Sequence, residues 1–401
     1  MSDATEVLIV GAGPAGCAAA LTLARAGMAV NLVDQHRFPR DKVCGDALIP
    51  DALAALDRLG LTARVLTTAH TLPRIRVYAP NRRHVEVGGR LACIPRRILD
   101  DLLRKAAEEA GARFLAPLRL DGFIEQDGTI RGARFRHGED GGEVEMRADL
   151  TLLATGAAGA PLELAGLCER KQPSGIAVRA YYRHPQLARE IDHLCISFDH
   201  GIVPGYGWIF PGPDGVFNVG AGYFHDSRRM PEPGNVRRVF ESFVTSFPPA
   251  RQLVSEAEQV TELKGAPLRT ALKGARLWRS GLLAIGEAAG TTYSFSGEGI
   301  GKAMESGILA AETAIASFQR HTGTDDPGRT YAVAMRQRFA ARFAAYEAAQ
   351  RWLSYPAICN FIAARARNGH FVRSQLSGML SENGDPRGLF SIVGFARALL
   401  R

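Results

Sequence analysis

The chain has 401 residues and 46% hydrophobic content, enough for two or three domains around a sizeable buried core. Its net charge of +8 comes from 49 basic and 41 acidic residues with no recognised nucleic-acid-binding module beside them, so nucleic acid is set aside. A solvated basic surface, or attraction to an anionic lipid or acidic partner, remains as the meaning of that charge.

The six cysteines, at positions 17, 44, 93, 168, 195 and 359, form no C-x-x-C pair, which argues against a disulfide framework and a zinc site; no metal is expected. The start, Met1-Ser2-Asp3-Ala4-Thr5-Glu6, is acidic where a secretory leader is basic. A reducing, cytoplasmic setting is expected, with peripheral attachment to the inner membrane face as an additional expectation. Residues 7–24 are uncharged, yet Gly11, Gly13, Pro14 and Gly16 divide them into a strand, a tight turn and a helix rather than a membrane span.

In chain order, a strand over Val7–Val10 runs through Gly11-x-Gly13-x-x-Gly16 into an alanine-rich helix, and a second strand, Ala29–Val33, ends at Asp34. Gly11 makes the turn, Gly13 lets the backbone approach a pyrophosphate, with Ala15 beside it, and Gly16 lets the helix pack on the strand. Asp34 is placed to accept hydrogen bonds from ribose hydroxyls, so a dinucleotide is expected, with FAD and NAD both open at this point. The segment RDKVCGDAL, residues 40–48, then sets Cys44 between Arg40 and Lys42 on one side and Gly45 and Asp46 on the other.

Residues 205–222, GYGWIFPGPDGVFNVGAG, form two extended segments around a turn, and period-2 alternation puts Tyr206, Trp208 and Phe210 on one face. That face is either core or substrate wall. In GLLAIGEAAGTTYSFSGEGIGKAMESGILAAE, residues 281–312, a strand breaks at Gly286-Glu287 and a helix opens near Gly297, Gly299 and Ile300. Such a second strand-to-helix turn can hold a ribityl chain and face a flavin, which favours FAD. Beyond residue 325, apolar residues at helical spacing alternate with arginines. The histidines show no H-x-H or H-x-x-H spacing, and neither a G-x-S-x-G elbow nor a P-loop occurs.

The pieces VGAGPAGCAAA, FPRDKVCGDAL, PRRILDDLL, LLATGA, GYGWIFPGPDGVFNVGAG and IGEAAGTTYSFSGEGIGKAMESG, in this order over most of residues 5–310, resemble the geranylgeranyl reductase family. That family lies within the FAD-dependent oxidoreductases and monooxygenases that share a glutathione-reductase-type FAD domain. The tail DPRGLFSIVGFARALLR is similar to the family's, less specifically.

The resemblance implies an α/β chain whose Rossmann-type FAD-binding domain is built discontinuously from 1–70, 90–180 and 260–320. A sheet-based substrate domain, 71–89 and 181–259, is inserted in it, and a helical region, 325–401, caps the substrate cavity. By the same resemblance Arg96 opens a helix against the FAD phosphate and ribose, Thr155 and Gly156 lead the chain back across the nucleotide, and Gly286-Glu287 stands where the family has Gly-Asp. Cys44 lies on the loop passing the isoalloxazine, Gly45 allows close approach, and Arg40 and Lys42 raise the local positive potential. Cys44 is then either a proton donor or a small packing residue, and Tyr206 and Trp208 join it as candidate catalytic residues.

The implied activity is reduction of carbon–carbon double bonds in a small lipophilic substrate, isoprenoid- or polyketide-like. No second G-x-G-x-x-G unit follows the first, so electrons are expected from transient NAD(P)H or from a reduced protein carrier. Two alternatives stay open: a flavin monooxygenase acting on an aromatic or lipid, and a non-catalytic flavin-binding or redox-sensing protein. Halogenation is weaker, because the W-x-W-x-I-P pattern meets Tyr206 and Phe210 here.

Overall fold

The computed structural model describes residues 5–138, 141–169, 171–202, 204–224, 236–270, 272, 275–294, 296–320 and 327–400. The chain enters through β1 (Thr5–Val10), α1 (Pro14–Arg25) and β2 (Val30–Val33). Val7 to Val10 and all of β2 are buried, as expected of parallel strands covered on both faces.

From there the chain leaves the first sheet for β3 (Ala47–Leu48), α2 (Pro50–Arg58) and the hairpin β4 (His70–Tyr78) and β5 (His84–Cys93). It returns through α3 (Arg96–Glu109), β6 (Arg113–Leu115), β7 (Leu118–Gln126), β8 (Thr129–His137) and β9 (Glu143–Leu153). A second excursion makes β10 (Gly175–Arg183), β11 (Leu194–Ser197), β12 (Gly205–Pro211), β13 (Val216–Phe224), β14 (Glu258–Gln259) and β15 (Lys264–Leu268). β16 (Trp278–Arg279), β17 (Leu282–Ala284) and α4 (Ile300–Arg320) close the first sheet, and α5 (Pro327–Leu353), α6 (Pro356–Asn368), α7 (His370–Leu380) and α8 (Ile392–Leu400) follow.

The first sheet has the order β16-β17-β9-β1-β2-β6, with β1 parallel to both β2 and β9. Register makes the site: Val10 pairs with Val33 on one side and Leu153 on the other, and Leu153 pairs with Ala284. The residues after these four strands therefore gather along one edge, where ligands of open α/β sheets bind. Helices α1 and α4 cross closely against that sheet, because a Cβ on Gly307 would stand 2.2 Å from the carbonyl oxygen of Ala15.

The second sheet has nine strands, with β10, β13, β12, β11, β4, β5 and β3 neighbours in that order. It crosses the boundaries expected from sequence: β10 starts at Gly175 to pair along its whole length with β13, β15 adds Lys264–Leu268, and β5 runs to Cys93 to meet β3. One face packs on the helix Val236–Ser246 through Ile209, Phe217, Val219 and Phe243. The other carries Trp208 and Phe210 and packs on α5, α6 and α7. The alternation along β12 is thus met, with Ile209 on one face and Trp208 and Phe210 on the other.

Candidate functional site

Three glycines of the first turn differ in what demands them. A Cβ on Gly11, whose φ is +108°, would lie 2.4 Å from the Ala154 carbonyl oxygen, and one on Gly16 would lie 1.9 Å from that of Gly11. The protein itself therefore requires both. A Cβ on Gly13 would meet nothing nearer than Arg40 Nη2 at 3.9 Å, so the open space above this turn is a cradle that a side chain would fill.

The rim of the cradle is polar. Asp34 accepts from the Ala12 and His36 amides, at 2.9 Å each, which fixes its carboxylate at the end of β2. Arg40 Nη1 lies 3.1 Å from Asp100 yet has no hydrogen-bond partner, and the buried hydroxyls of Thr155 and Thr291 have none either. Native interiors seldom leave such groups unpaired without a ligand to meet them. Glu287 accepts from the Arg269 amide at 3.1 Å with one oxygen, and the other lies 4.0 Å from where a Cβ on Gly156 would be. Gly286, at φ +64°, brings this turn against Ala15, 2.7 Å from the place of its own Cβ. These residues fit a dinucleotide such as FAD laid across the strand ends.

Arg96 opens α3, as the sequence leads one to expect, with its side chain turned toward Asp100. It is buried and donates twice to Asp100, at 2.7 and 2.8 Å, with the Cys44 thiol nearby. The guanidinium that reaches over Gly13 belongs to Arg40, while Lys42 offers its carbonyl oxygen to Arg179 at 3.3 Å.

The Cys44 loop is tied down by a carboxylate that sequence reasoning passed over. Asp46 is 1% exposed and stands at φ +66°. Its Oδ2 accepts from the Tyr181 hydroxyl at 2.5 Å and from Asn218 Nδ2 at 2.8 Å, and its Oδ1 accepts from the Arg96 amide at 3.2 Å. Asn218 Nδ2 also donates to the Cys44 carbonyl oxygen at 2.7 Å, and Asn218 Oδ1 accepts from Trp208 Nε1 at 2.9 Å. Trp208 thus acts on the loop through Asn218. Beneath them Arg179, fully buried, pairs with Asp41 and lies over the Tyr181 ring. Burial pushes the Asp46 carboxyl up to about 6, against the pull of Tyr181, Asn218 and Arg179. Gly45 faces the aromatic side of β12, where its Cβ would stand 3.0 Å from Phe210.

A cavity of about 130 Å³ lies between the second sheet and the C-terminal helices. Ile75, Val87 and Phe198 line it from the sheet, and Leu353, Ile362 and Met379 from the helices. Its polar end is formed by Tyr206, Ser296 and Glu298. The Tyr206 hydroxyl donates to the Ser296 carbonyl oxygen, and a Cβ on Gly297, at φ +67°, would lie 2.6 Å from that hydroxyl. Gly299, packed on Thr292, and Ile300 then open α4. Tyr206 therefore joins the apolar cavity to the turn that completes the strand-end edge.

Comparison with known proteins agrees with this geometry. The family model described as FAD binding domain matches residues 4–185. The chain is 34% identical over 328 residues to a menaquinone reductase of Mycobacterium tuberculosis, spanning 78% of this chain and 77% of that one. It is 30% identical over 325 residues to a digeranylgeranylglycerophospholipid reductase of Methanosarcina acetivorans, spanning 78% and 76%. Among solved structures, a geranylgeranyl bacteriochlorophyll reductase-like protein of Thermoplasma acidophilum superposes with a TM-score of 0.80 at 19% identity, over 100% of this chain and 97% of that one. A flavin-dependent brominase superposes with 0.79, also at 19% identity, over 99% and 100%. Likeness at that identity establishes the fold, which reductases and halogenases share.

Two outcomes follow from the site. Gly13→Val keeps the fold, changing apoprotein stability by less than about 1 kcal/mol because its side chain enters open space, but purifies without the visible absorbance of FAD; stoichiometric flavin in that variant would remove the cofactor from this turn. For Asp46 the folded carboxyl titrates at about 6, above its unfolded value of about 3.9. Its contribution is therefore complete below about pH 4 and is lost as the pH rises through 6. Thermal unfolding of the apoprotein against pH, compared with Asp46→Asn, should show the wild type losing on the order of 2–3 kcal/mol relative to the variant between pH 4 and 7. A rising difference over that range contradicts the assignment.

Proposed function

Because the chain belongs to the geranylgeranyl reductase family of FAD-dependent oxidoreductases, we propose that it reduces carbon–carbon double bonds in a lipophilic, isoprenoid-bearing substrate. The observation that carries this reading is the apolar cavity whose polar end, Tyr206, Ser296 and Glu298, adjoins the turn opening α4. Such a cavity suits a hydrocarbon chain, which is buried for its apolar area and oriented by a few polar groups. The names of the two curated relatives, a menaquinone reductase and a digeranylgeranylglycerophospholipid reductase, favour an isoprenoid over a polyketide.

FAD, when bound, supplies the hydride chemistry that no side chain here can. Gly13 and Arg40 hold its pyrophosphate, Asp34 a ribose, Thr155, Gly156 and Glu287 the ribityl region, and the turn of Gly297, Gly299 and Ile300 its flavin end. NAD(P)H or a reduced protein carrier, visiting transiently, is the electron donor. Cys44 accepts a hydrogen bond from the Asp46 amide, at 3.5 Å, which supports a positioned acceptor beside the flavin rather than the acid of the reaction.

Among the described residues no helix is long and apolar enough to cross a membrane. Contact with a bilayer surface is supported instead by α8, where Ile392 is 82% and Val393 61% exposed beside Arg397.

Reduced enzyme incubated without oxygen with polyprenyl lipids should add one molecule of hydrogen per double bond, read by mass spectrometry. Product that forms only with oxygen and carries an added oxygen atom would replace the reductase by a monooxygenase, and a flavin that neither NAD(P)H nor a reduced carrier reduces would point to a non-catalytic protein. Cys44→Ser should keep FAD and slow single-turnover substrate reduction less than about tenfold. A loss of about 10²-fold or more would make Cys44 the acid.

A further inference from the structure

Behind the polar end of the cavity lies a group of charges that the reaction as described leaves unused. Glu298 lines the cavity, and its Oε2 is buried without a hydrogen-bond partner. Asp51, from α2, is 4% exposed, and neither of its carboxylate oxygens has a partner. Carboxylate oxygens of Asp51, Glu298 and Glu382 lie within 4.8 Å of one another. Lys302, one turn along α4 from Glu298 and 2% exposed, donates to Glu382 at 2.6 Å and to Glu305, and stands 3.6 Å from Asp51.

Other elements complete the enclosure. Arg342 of α5 donates to the Glu382 carbonyl oxygen at 2.6 Å, the Tyr293 hydroxyl donates to the Glu382 carboxylate at 3.2 Å, and Arg338 lies 3.4 Å from Glu305 at the exposed rim. The phenols of Tyr206 and Tyr346 face the same group. Glu382 holds φ at +58°, a left-handed conformation that non-glycine residues adopt at a cost and that persists where the surroundings impose it.

Charge accounting separates the acids. Glu305 and Glu382 each accept a hydrogen bond from Lys302 and have Arg338 or Arg342 beside them, whereas among the described residues Asp51 has one ion pair, 3.6 Å from Lys302, and Glu298 makes none. Two buried carboxyls so close cannot both ionise cheaply, so the pair keeps a proton. Burial, reinforced by the neighbouring carboxylates, pushes both upward.

The geometry points to Glu298 as the acid that delivers the proton when a double bond in the cavity is reduced, with Asp51 and Glu382 as the relay that returns a proton to it. This rests on the reductase reading above. With hydride supplied to one carbon, the π pair of the double bond forms the second C–H bond with the proton of Glu298, whose O–H bond breaks to leave a carboxylate. The next proton enters from solvent past Glu382, which is 20% exposed, and reaches that carboxylate through Asp51, restoring the single proton the pair holds at rest. Two C–H bonds form, while the π bond, the Glu298 O–H bond and the bond that held the hydride on its donor break; the hydride brings the electron pair of the first C–H bond.

Glu298→Gln tests the assignment, with a readout that needs no turnover. The FAD-loaded resting wild type at neutral pH should show the infrared carbonyl band of a protonated carboxylic acid, and the variant should lack it. In anaerobic single turnover with a polyprenyl lipid the variant should reduce substrate about 10²-fold or more slowly, while reduction of its flavin by the donor changes less than about threefold. Asp51→Asn keeps the shape and removes one ion pair, that with Lys302, which still has Glu305 and Glu382, so it should fold and should slow the later turnovers more than the first. An unchanged infrared spectrum, or substrate reduction by Glu298→Gln at the wild-type rate, overturns the proposal and leaves the reductase reading standing. If the wild type itself hydrogenates none of the lipids, the reductase reading falls and the proposal falls with it.

Discussion

The site depends on one buried carboxylate. Asp46 belongs to the loop that leaves the first sheet, yet most of its partners, Tyr181 of β10 and Asn218 of β13, belong to the second. A carboxylate taken out of water is stable only where donors replace the lost hydration. The three donors on Asp46 therefore do more than satisfy it: they set where the Cys44 loop sits against the aromatic face of β12. Asn218 commits three of its four side-chain hydrogen bonds there, with both amide protons on the loop and its oxygen on Trp208. Removing any member leaves another buried and unpaired, at about 1–3 kcal/mol each.

Given that anchor, the two halves of the site divide their labour. The strand-end edge of the first sheet is a polar cradle of backbone turns, open above Gly13 and rimmed by unpaired groups. The second sheet and the C-terminal helices make an apolar cavity with a few polar groups at one end. Tyr206 touches both, through its hydrogen bond to Ser296 and its close approach to Gly297. The two surfaces differ in solvation, one polar and one apolar, and they converge at that residue.

The charges around Lys302 extend the same logic. Buried acids normally lie paired, and here Glu305 and Glu382 take the Lys302 hydrogen bonds, while Asp51 keeps only a longer ion pair with Lys302 and its oxygens, like Oε2 of Glu298, are buried without a hydrogen bond. An apolar cavity next to such acids favours their neutral form, which is the form that can give a proton away.

Local rules made much of the first sheet legible. Glycine spacing, an apolar strand before it and an acid at the end of the next strand are short-range features with a single physical meaning, and they located Gly11, Gly13, Gly16 and Asp34 where the structure has them. Period-2 alternation likewise placed Trp208 and Phe210 on one face of β12. What alternation cannot supply is the neighbour across the ladder. Tyr181 faces Asn218 because of the β10–β13 register, and the two close on Asp46 from 135 and 172 residues away in the chain. The same holds for Arg96, which is turned inward to Asp100, and for Glu298, whose neighbours come from α2, α5 and the segment after α7. The sequence alone determined the cofactor-binding turn and the family of fold, because those rest on backbone geometry written in consecutive residues. Only the tertiary structure decided which acid oxygens lie buried without a hydrogen bond, because desolvation depends on what distant segments bring to the same place.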